Sequence, residues 1–200
     1  MGLDMYLHKK VYQYRRPDGT FTSEMSACTF DNFGRSNGTY LVTQAAYWRK
    51  ANQIHKWFVD NVCDGNDDCK PYYCGRDKIE ELVDICRKIL GTLDGAVFDV
   101  NKEMIGEHSE GEEPHSTKFD MANLEKTYSS LEYYHVIADA DVAKRFVECA
   151  SNLLPTQEGF FFGETSYGVG YIFDLIKTVL MLEGVLADEE ISDYEYGASW

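Results

Sequence analysis

Trp48, Asn52 and His55 are separated by four and three residues, a spacing that places them along one side of a helix. Tryptophan offers a plane on which a flat ligand can stack, asparagine offers a donor and an acceptor together, and histidine titrates near neutral pH. These side chains could therefore line a pocket for a nucleotide-like small molecule. The alternative is a buried histidine bonded to a carbonyl, in which case these residues have only a structural role in the core.

Residues 43–62 are predicted to form the helix that carries this stripe. Its core positions are expected at Tyr47, Ala51, Ile54, Phe58 and Val62. Arg49 and two lysines fall on the opposite face, where they could attract an anion in a chain with few cations. Trp57 lies among these cations and is either covered by another element or exposed to bind a ligand.

A second aromatic segment is the run "GFFFG" at 159–163, which is predicted to be a short buried strand. The following "GETSYGVG" lacks the lysine of a Walker loop and the third glycine of a dinucleotide fingerprint. It does lead toward a predicted helix, whose N-terminus could hold an anion. With residues from both segments, the candidate ligand-binding set is Trp48, Arg49, Asn52, His55, Trp57, Phe161 and Tyr167.

Two segments could suggest a metal site. Cys63, Cys69 and Cys74 follow His55, but their spacing lacks the C-x2-C pair that is typical of structural zinc sites. Residues 64–75 begin like a calcium loop, but cysteine and glycine stand where the sixth-position glycine and the final glutamate are required. We therefore expect no metal and no cofactor.

The charge balance limits the possible partners. The chain has 34 Asp and Glu against 19 Lys and Arg, a net charge of −15, which disfavours direct nucleic-acid binding because phosphate backbones are repelled. The first residues do not have the apolar run of a signal peptide, and no apolar run elsewhere reaches the length of a membrane span. We therefore expect a cytoplasmic protein that does not bind membranes, with its six cysteines as free thiols.

The predicted fold class is α+β in a single domain covering residues 1–200. A small, mostly antiparallel sheet is expected from an N-terminal hairpin (3–14 and 20–30) and the GFFFG strand. Four to five helices should pack on it, predicted at 43–62, 78–90, 119–134, about 139–154 and 171–186. Residues 92–118 are expected to form a flexible acidic loop, and 188–200 a loose acidic tail.

Several segments resemble a family of small proteins encoded by bacteriophages and prophages. They are "MGLDMYL" at the start, "AAYWRKANQIHKWFVDNV" at 45–62, "DDCKPYYC" at 67–74 and "LLPTQEGFFFG" at 153–163, together under half of the chain. The resemblance implies a phage-type context inside the host cell cytoplasm, and it implies no particular activity.

Three functions remain open from the sequence. The first is a binding protein without catalytic activity, whose ligand is a nucleotide-like small molecule or a host protein, such as a defence component. The second is a small hydrolase or transferase that uses His55 with a carboxylate, and Arg49 for an anionic group; it requires that solvent reach His55. The third is an acidic interaction module or nucleic-acid mimic. No catalytic motif favours the second. The oligomeric state is open.

Overall fold

A computed structural model describes residues 2–14, 16–18, 38–104, 115–159 and 161–200. The predicted α+β class is confirmed: within these ranges, five helices accompany two antiparallel sheets. The strands are β1 (Asp4–Tyr14), β2 (Gly38–Arg49), β3 (Tyr72–Cys74), β4 (Val97–Val100), β5 (Thr117–Lys118), β6 (His135–Ile137) and β7 (Asp193–Ser199). The helices are α1 (Asn52–Asn61), α2 (Arg76–Gly91), α3 (Leu124–Ser130), α4 (Ala140–Leu153) and α5 (Val169–Ala187).

The larger sheet has the strand order β2-β1-β7-β3, so the C-terminal strand lies in its interior. The predicted loose tail at 188–200 is therefore wrong for residues 193–199. The reason is alternation: Tyr194 and Tyr196 point into the core, while Glu195 between them points away from it. Met5 and Leu7 on the inner face of β1 are fully buried, as is Leu3 just before the strand.

The predicted helix at 43–62 is wrong in its first half. β2 continues to Arg49, and α1 begins only at Asn52. Pairing with β1 holds this segment extended as far as the Asp4–Arg49 pair, which overrides its local helical pattern. Lys50 then adopts a left-handed backbone with φ of 59°, which turns the chain from the strand into the helix.

The predicted GFFFG strand is also wrong. Among the described residues of 159–163, none is in a strand, and Phe161 and Gly163 have positive φ values of 62° and 100°. A Cβ atom on Gly163 would lie 2.5 Å from the carbonyl oxygen of Lys50, so only glycine allows this close approach. The predicted strand at 3–14 is confirmed as β1, whose antiparallel partner is β2; residues 20–30 lie outside the described ranges.

Two strands of the smaller sheet, β4 and β5, lie in the segment that was expected to be a flexible loop. β4 pairs with β5 on one side and with β6 on the other, and its Phe98 is fully buried. The flexible-loop prediction for 92–118 is therefore wrong for the residues of β4 and β5, because this apolar side chain anchors the segment. Residues 105–114 lie outside the described ranges.

The helix boundaries elsewhere follow local signals. α2 ends at Gly91, one residue beyond the predicted 78–90, and its N-cap is Gly75. Asp139 caps α4 by accepting hydrogen bonds from the backbone N–H groups of Asp141 and Val142, at 2.8 and 3.1 Å. These bonds favour the charged carboxylate and lower the pKa of Asp139. α5 packs against α2, α3 and β2, and its inner side is part of the main core.

Candidate functional site

The predicted pocket stripe is sealed inside the protein. Trp48, Asn52 and His55 are each 1% exposed. Trp48 belongs to β2 rather than to a helix, and its indole Nε1–H donates to the hydroxyl of Thr178 on α5 at 2.8 Å. Its ring packs against Phe58, with centroids 5.7 Å apart. The indole plane is therefore part of the core and offers no surface on which a ligand could stack.

Asn52 joins the start of α1 to the loop that contains the GFFFG run. Its Nδ2 donates to the carbonyl oxygen of Glu164 at 2.9 Å and to that of Phe162 at 3.4 Å. Its Oδ1 accepts a hydrogen bond from the backbone N–H of Gln157 at 2.9 Å. Both ends of the amide are thus used in holding the loop in place.

His55 lies between the C-terminal strand and the acidic turn after α1. Its Nδ1 is 2.7 Å from the hydroxyl of Tyr196, and its Nε2 is 3.1 Å from Oδ1 of Asp67. The Nε2 contact lacks the alignment of a hydrogen bond, so this buried ring nitrogen has no hydrogen-bond partner among the described residues. The rings of Phe162 and Trp200 pack around the imidazole. Burial also raises the pKa of Tyr196 well above its usual value.

The hydrolase or transferase hypothesis required solvent to reach His55, and this condition is not met. A second buried histidine, His135, is also used structurally. Its Nδ1 accepts a hydrogen bond from the backbone N–H of Glu132 at 2.9 Å, so its Nε2 carries a proton and donates to the carbonyl oxygen of His115 at 3.0 Å. Neither ring is placed for acid–base catalysis on a bound substrate.

The four other candidate residues are dispersed. Arg49 is exposed at the end of β2, and Phe161 is 53% exposed in the loop. Trp57 is only 5% exposed, with its ring edge-on to Phe58, so it is covered by the fold. Tyr167 is half-buried against Tyr171, and its hydroxyl accepts a hydrogen bond from the backbone of Thr156. Together, the seven candidates do not surround one concavity.

The cysteines of the described chain are all free: Cys63, Cys69, Cys74, Cys86 and Cys149. Burial raises the pKa of Cys63 to about 11 and that of Cys74 to about 12, so both are neutral thiols at pH 7. Cys69 is exposed. Within the described ranges, no three His, Cys, Asp or Glu side chains are grouped closely enough to hold a metal ion.

The outer face of the four-stranded sheet carries a set of aromatic side chains that the sequence reasoning missed. We call it the tyrosine face; it consists of Tyr6, His8, Tyr12, Tyr40, Val42, Tyr47 and Tyr73. Tyr40, Val42 and Tyr73 are 44%, 52% and 68% exposed. The alternation of Tyr6, His8 and Tyr12 along β1 was the available signal, but Tyr47 was assigned to the core of a helix that does not form there.

The tyrosine face is continuous because its members are neighbours across the strands. The ring of Tyr6 stacks on His8 with an interplanar angle of 10°, and it lies 5.3 Å from the ring of Tyr47 on β2. On the other side of β1, His8 pairs with Glu195, which pairs in turn with Tyr73. Opposite-facing residues of these strands form the core, so the tyrosine face is the side of the sheet directed away from it.

Charged side chains lie beside the aromatic rings of the tyrosine face and bond to neighbouring residues. The Lys10 ammonium lies 2.7 Å from Glu195 and 4.9 Å from the ring centroid of Tyr40. The hydroxyl of Tyr47 donates to Asp4 at 2.5 Å, which raises the pKa of Tyr47. Glu195 and Asp4 thus each have a partner on this side of the sheet.

A separate concavity of about 520 Å³ lies beside the smaller sheet. Its lining includes Asp94, Lys118, Asp120, Lys126 and Ser130, and it contains none of the seven candidate residues. Two acids face two lysines there, so the lining has no net charge that would select a ligand. No helix of the described chain has the length and apolar character needed to span a membrane.

Compared with known proteins, the chain matches no family model, no curated protein and no solved structure. What its surfaces can bind therefore follows from their own geometry and chemistry.

Proposed function

We propose that this chain is a binding protein without catalytic activity, and that it recognises another protein through the tyrosine face. The phage-type context implied by the sequence resemblance makes a host protein the partner. The observation that carries the proposal is the exposure of several tyrosine rings on one face of the sheet, with Tyr73 alone 68% exposed. Aromatic side chains of this kind are enriched at protein–protein interfaces and are depleted from ordinary surfaces.

The shape of the face favours a protein over a small molecule. Small-molecule sites are concave and enclose most of the ligand. The tyrosine face is the open side of a sheet, and its neighbouring rings on β1 and β2 form a broad surface rather than a cleft. A flat partner surface can cover such an area, and the tyrosine hydroxyls at its rim can bond to that partner.

A nucleotide-like ligand has less support, because the Trp48 plane on which it would stack is 1% exposed. We expect that millimolar nucleotides and signalling dinucleotides leave the thermal midpoint of the protein unchanged. A rise of several degrees that the Tyr73→Ala variant retains would instead support a small-molecule function at another site.

The protein-binding proposal is tested by capture from host lysate, followed by affinity measurement with the captured protein. The variant Tyr73→Ala changes the tyrosine face, and Tyr133→Ala is a matched control because Tyr133 is 69% exposed and lies outside it. We expect Tyr73→Ala to weaken binding about tenfold or more, the effect of an interface hot spot, and Tyr133→Ala to leave it unchanged. Equal affinity of wild type and Tyr73→Ala, Tyr6→Ala and Tyr47→Ala variants would refute the proposal.

A further inference from the structure

A concavity of about 290 Å³ lies between the inner face of the four-stranded sheet and the C-terminal half of α5. The sheet contributes Lys9, Thr43 and Tyr194 to its lining, and the helix contributes Met181 and Gly184. Tyr194 pairs with Lys9, which pairs in turn with Thr43, so these three side chains project from the same face of adjacent strands. The tyrosine face lies on the other side of the sheet, so the two surfaces are separate.

The hydroxyl of Tyr194 is buried and has no hydrogen-bond partner within the described part of the chain. Buried polar groups are almost always bonded, because an unpaired one loses its bonds to water and gains none in return. Tyr196, two residues further along the same strand, shows the usual arrangement, with its hydroxyl 2.7 Å from Nδ1 of His55. The Tyr194 hydroxyl, on a residue that lines a concavity, therefore marks a place where a bound molecule can supply the missing partner.

The charged groups around this concavity bond to one another and to the end of α5. The Lys9 ammonium lies 2.5 Å from Oδ2 of Asp188 and 2.6 Å from Oε2 of Glu190. Arg76 donates to the backbone carbonyl oxygens of Leu186 and Asp188. Two cations thus accompany two carboxylates, and their contacts neutralise the charge around the concavity. This arrangement does not favour an ionic ligand of either sign.

The remaining lining is small and apolar. Ala45, Met181 and Val185 contribute aliphatic surface, and Gly184 contributes only backbone. A Cβ atom built on Gly184 would meet nothing within 4 Å, which shows that the space beside it is open. Small-molecule sites are mostly apolar, have a few placed polar groups and begin at about 300 Å³, so this concavity suits a small ligand.

We propose that this concavity, which we call the Tyr194 site, binds a small uncharged molecule with an aliphatic body and one hydrogen-bonding head. The head bonds to the Tyr194 hydroxyl, and the body packs against Ala45, Met181 and Val185. A tyrosine hydroxyl both donates and accepts, so an amide or an alcohol head is suitable. A carboxylate or ammonium head would lose its hydration without gaining a counter-ion of its own.

The Tyr194 site goes beyond the proposed function, because no residue of the tyrosine face belongs to it. Failure of either proposal therefore leaves the other standing. The partner test depends on Tyr73, which lies on β3 and is 68% exposed, whereas Tyr194 is only 3% exposed.

Three probes of the same chain length test the charge of the head: hexanamide, hexanoate and hexylammonium. Each is titrated into the full chain while backbone amide NMR shifts are recorded. We expect hexanamide to shift the signals of the residues that line the Tyr194 site with about millimolar affinity, as is reasonable for a ligand of about eight non-hydrogen atoms. The two charged probes should bind at least tenfold more weakly. A lack of saturable shifts with hexanamide, or equal binding of a charged probe, would overturn the proposal.

Tyr194→Phe removes the hydroxyl and keeps the ring. We expect hexanamide to bind this variant about fivefold to tenfold more weakly, because the bond to the head is lost. Without ligand, its free energy of unfolding should equal or exceed that of wild type, since the hydroxyl that it lacks is buried without a partner. Tyr196→Phe is the matched control from the same strand: it removes a bonded hydroxyl, so it should lose stability and keep its affinity for hexanamide. Equal losses of stability in the two variants would show that a structural water already occupies the Tyr194 hydroxyl, and would refute the site.

Gly184→Leu fills the concavity and leaves its polar groups unchanged. The variant should fold, because leucine has a higher helix propensity than glycine and its Cβ enters open space. We expect the affinity for hexanamide to fall more than tenfold. A Gly184→Leu variant that binds hexanamide as wild type does would place the ligand elsewhere and contradict the proposal.

Discussion

Nδ1 of His55 and the hydroxyl of Tyr196 lie 2.7 Å apart, and this contact links α1 to the C-terminal strand in the centre of the sheet. The same strand is fixed by a second contact, because the Tyr196 ring stacks on Phe58 with centroids 4.0 Å apart and an interplanar angle of 8°. The histidine that the sequence presents as a possible catalytic base thus fastens the last strand to the first helix.

The variant Tyr196→Phe tests this role, because it keeps the stacked ring and removes only the hydroxyl. Nδ1 of the buried His55 then loses its partner, so we expect the free energy of unfolding to fall by about 1–3 kcal/mol. Urea denaturation measures this free energy. The control is Tyr73→Phe at an exposed position, which should change stability by less than about 0.5 kcal/mol. A Tyr196→Phe variant as stable as wild type would show that the contact contributes nothing.

Substitutions at Asn52 distinguish the contribution of side-chain shape to stability from the contribution of its hydrogen bonds. Asn52→Asp keeps the shape but replaces the amide donor with an acceptor that faces the carbonyl oxygens of Phe162 and Glu164. We expect Asn52→Asp at pH 7 to be at least as destabilising as Asn52→Ala, with losses of about 2–4 kcal/mol, because it leaves a buried charge against two acceptors. Limited proteolysis should then cut the loop at 157–164 faster. A well-tolerated aspartate would contradict this assignment.

The sequence predicts the elements that depend on local signals. The bounds of α2 and α4 lie close to the predicted 78–90 and about 139–154, and Asp139 caps α4 through the backbone N–H groups of its own helix. The β1 strand and the α+β class follow in the same way from residue type and turn composition. A buried histidine bonded to a carbonyl was the open alternative for the stripe; His55 is indeed buried, but its partner is the hydroxyl of Tyr196 rather than a carbonyl.

Elements that depend on distant partners could not be predicted. Residues 43–49 have helical spacing, but pairing with β1, more than thirty residues earlier in the chain, holds them extended. Residues 193–199 have an acidic composition that suggests a tail, although the alternation of Tyr194 and Tyr196 is a strand signal. The tyrosine face was missed for the same reason, because its residues on β1, β2 and β3 come together only when these strands align with β7 in one sheet.

Asp174 on α5 gives a prediction for the pH dependence of stability. Burial raises its pKa from 3.8 to about 6 in the folded protein, against the smaller opposing effects of a hydrogen bond from Gln53 and the charge of Lys177. Between these two pKa values the folded state holds a proton that the unfolded state has released. Stability from this group is therefore lost as pH rises from about 4 through 6.

Asp174→Asn removes this titration and keeps an oxygen that can accept the bond from Gln53. At pH 7 we expect the variant to be more stable than wild type by about 1–2 kcal/mol, because it no longer holds an ionised carboxyl group at this half-buried position. The difference should shrink toward zero as pH falls to about 4. Urea denaturation across this pH range measures it. A difference that is constant with pH would show that Asp174 titrates at its usual pKa.

Gly163 holds the GFFFG loop against the junction between β2 and α1. Its φ of 100° is unfavourable for any other residue, and a Cβ atom would lie 2.5 Å from the carbonyl oxygen of Lys50. We therefore expect Gly163→Ala to destabilise the protein by about 2 kcal/mol or more, because the backbone must move to relieve both the strain and the overlap.

Gly184→Ala is the matched control, since this glycine lies within α5 and an added Cβ would meet no atom within 4 Å. Alanine there should stabilise the helix by about 0.5–1 kcal/mol, because it has the higher helix propensity. Thermal unfolding of the two variants should thus shift in opposite directions, and a shift in the same direction would contradict the loop geometry at Gly163.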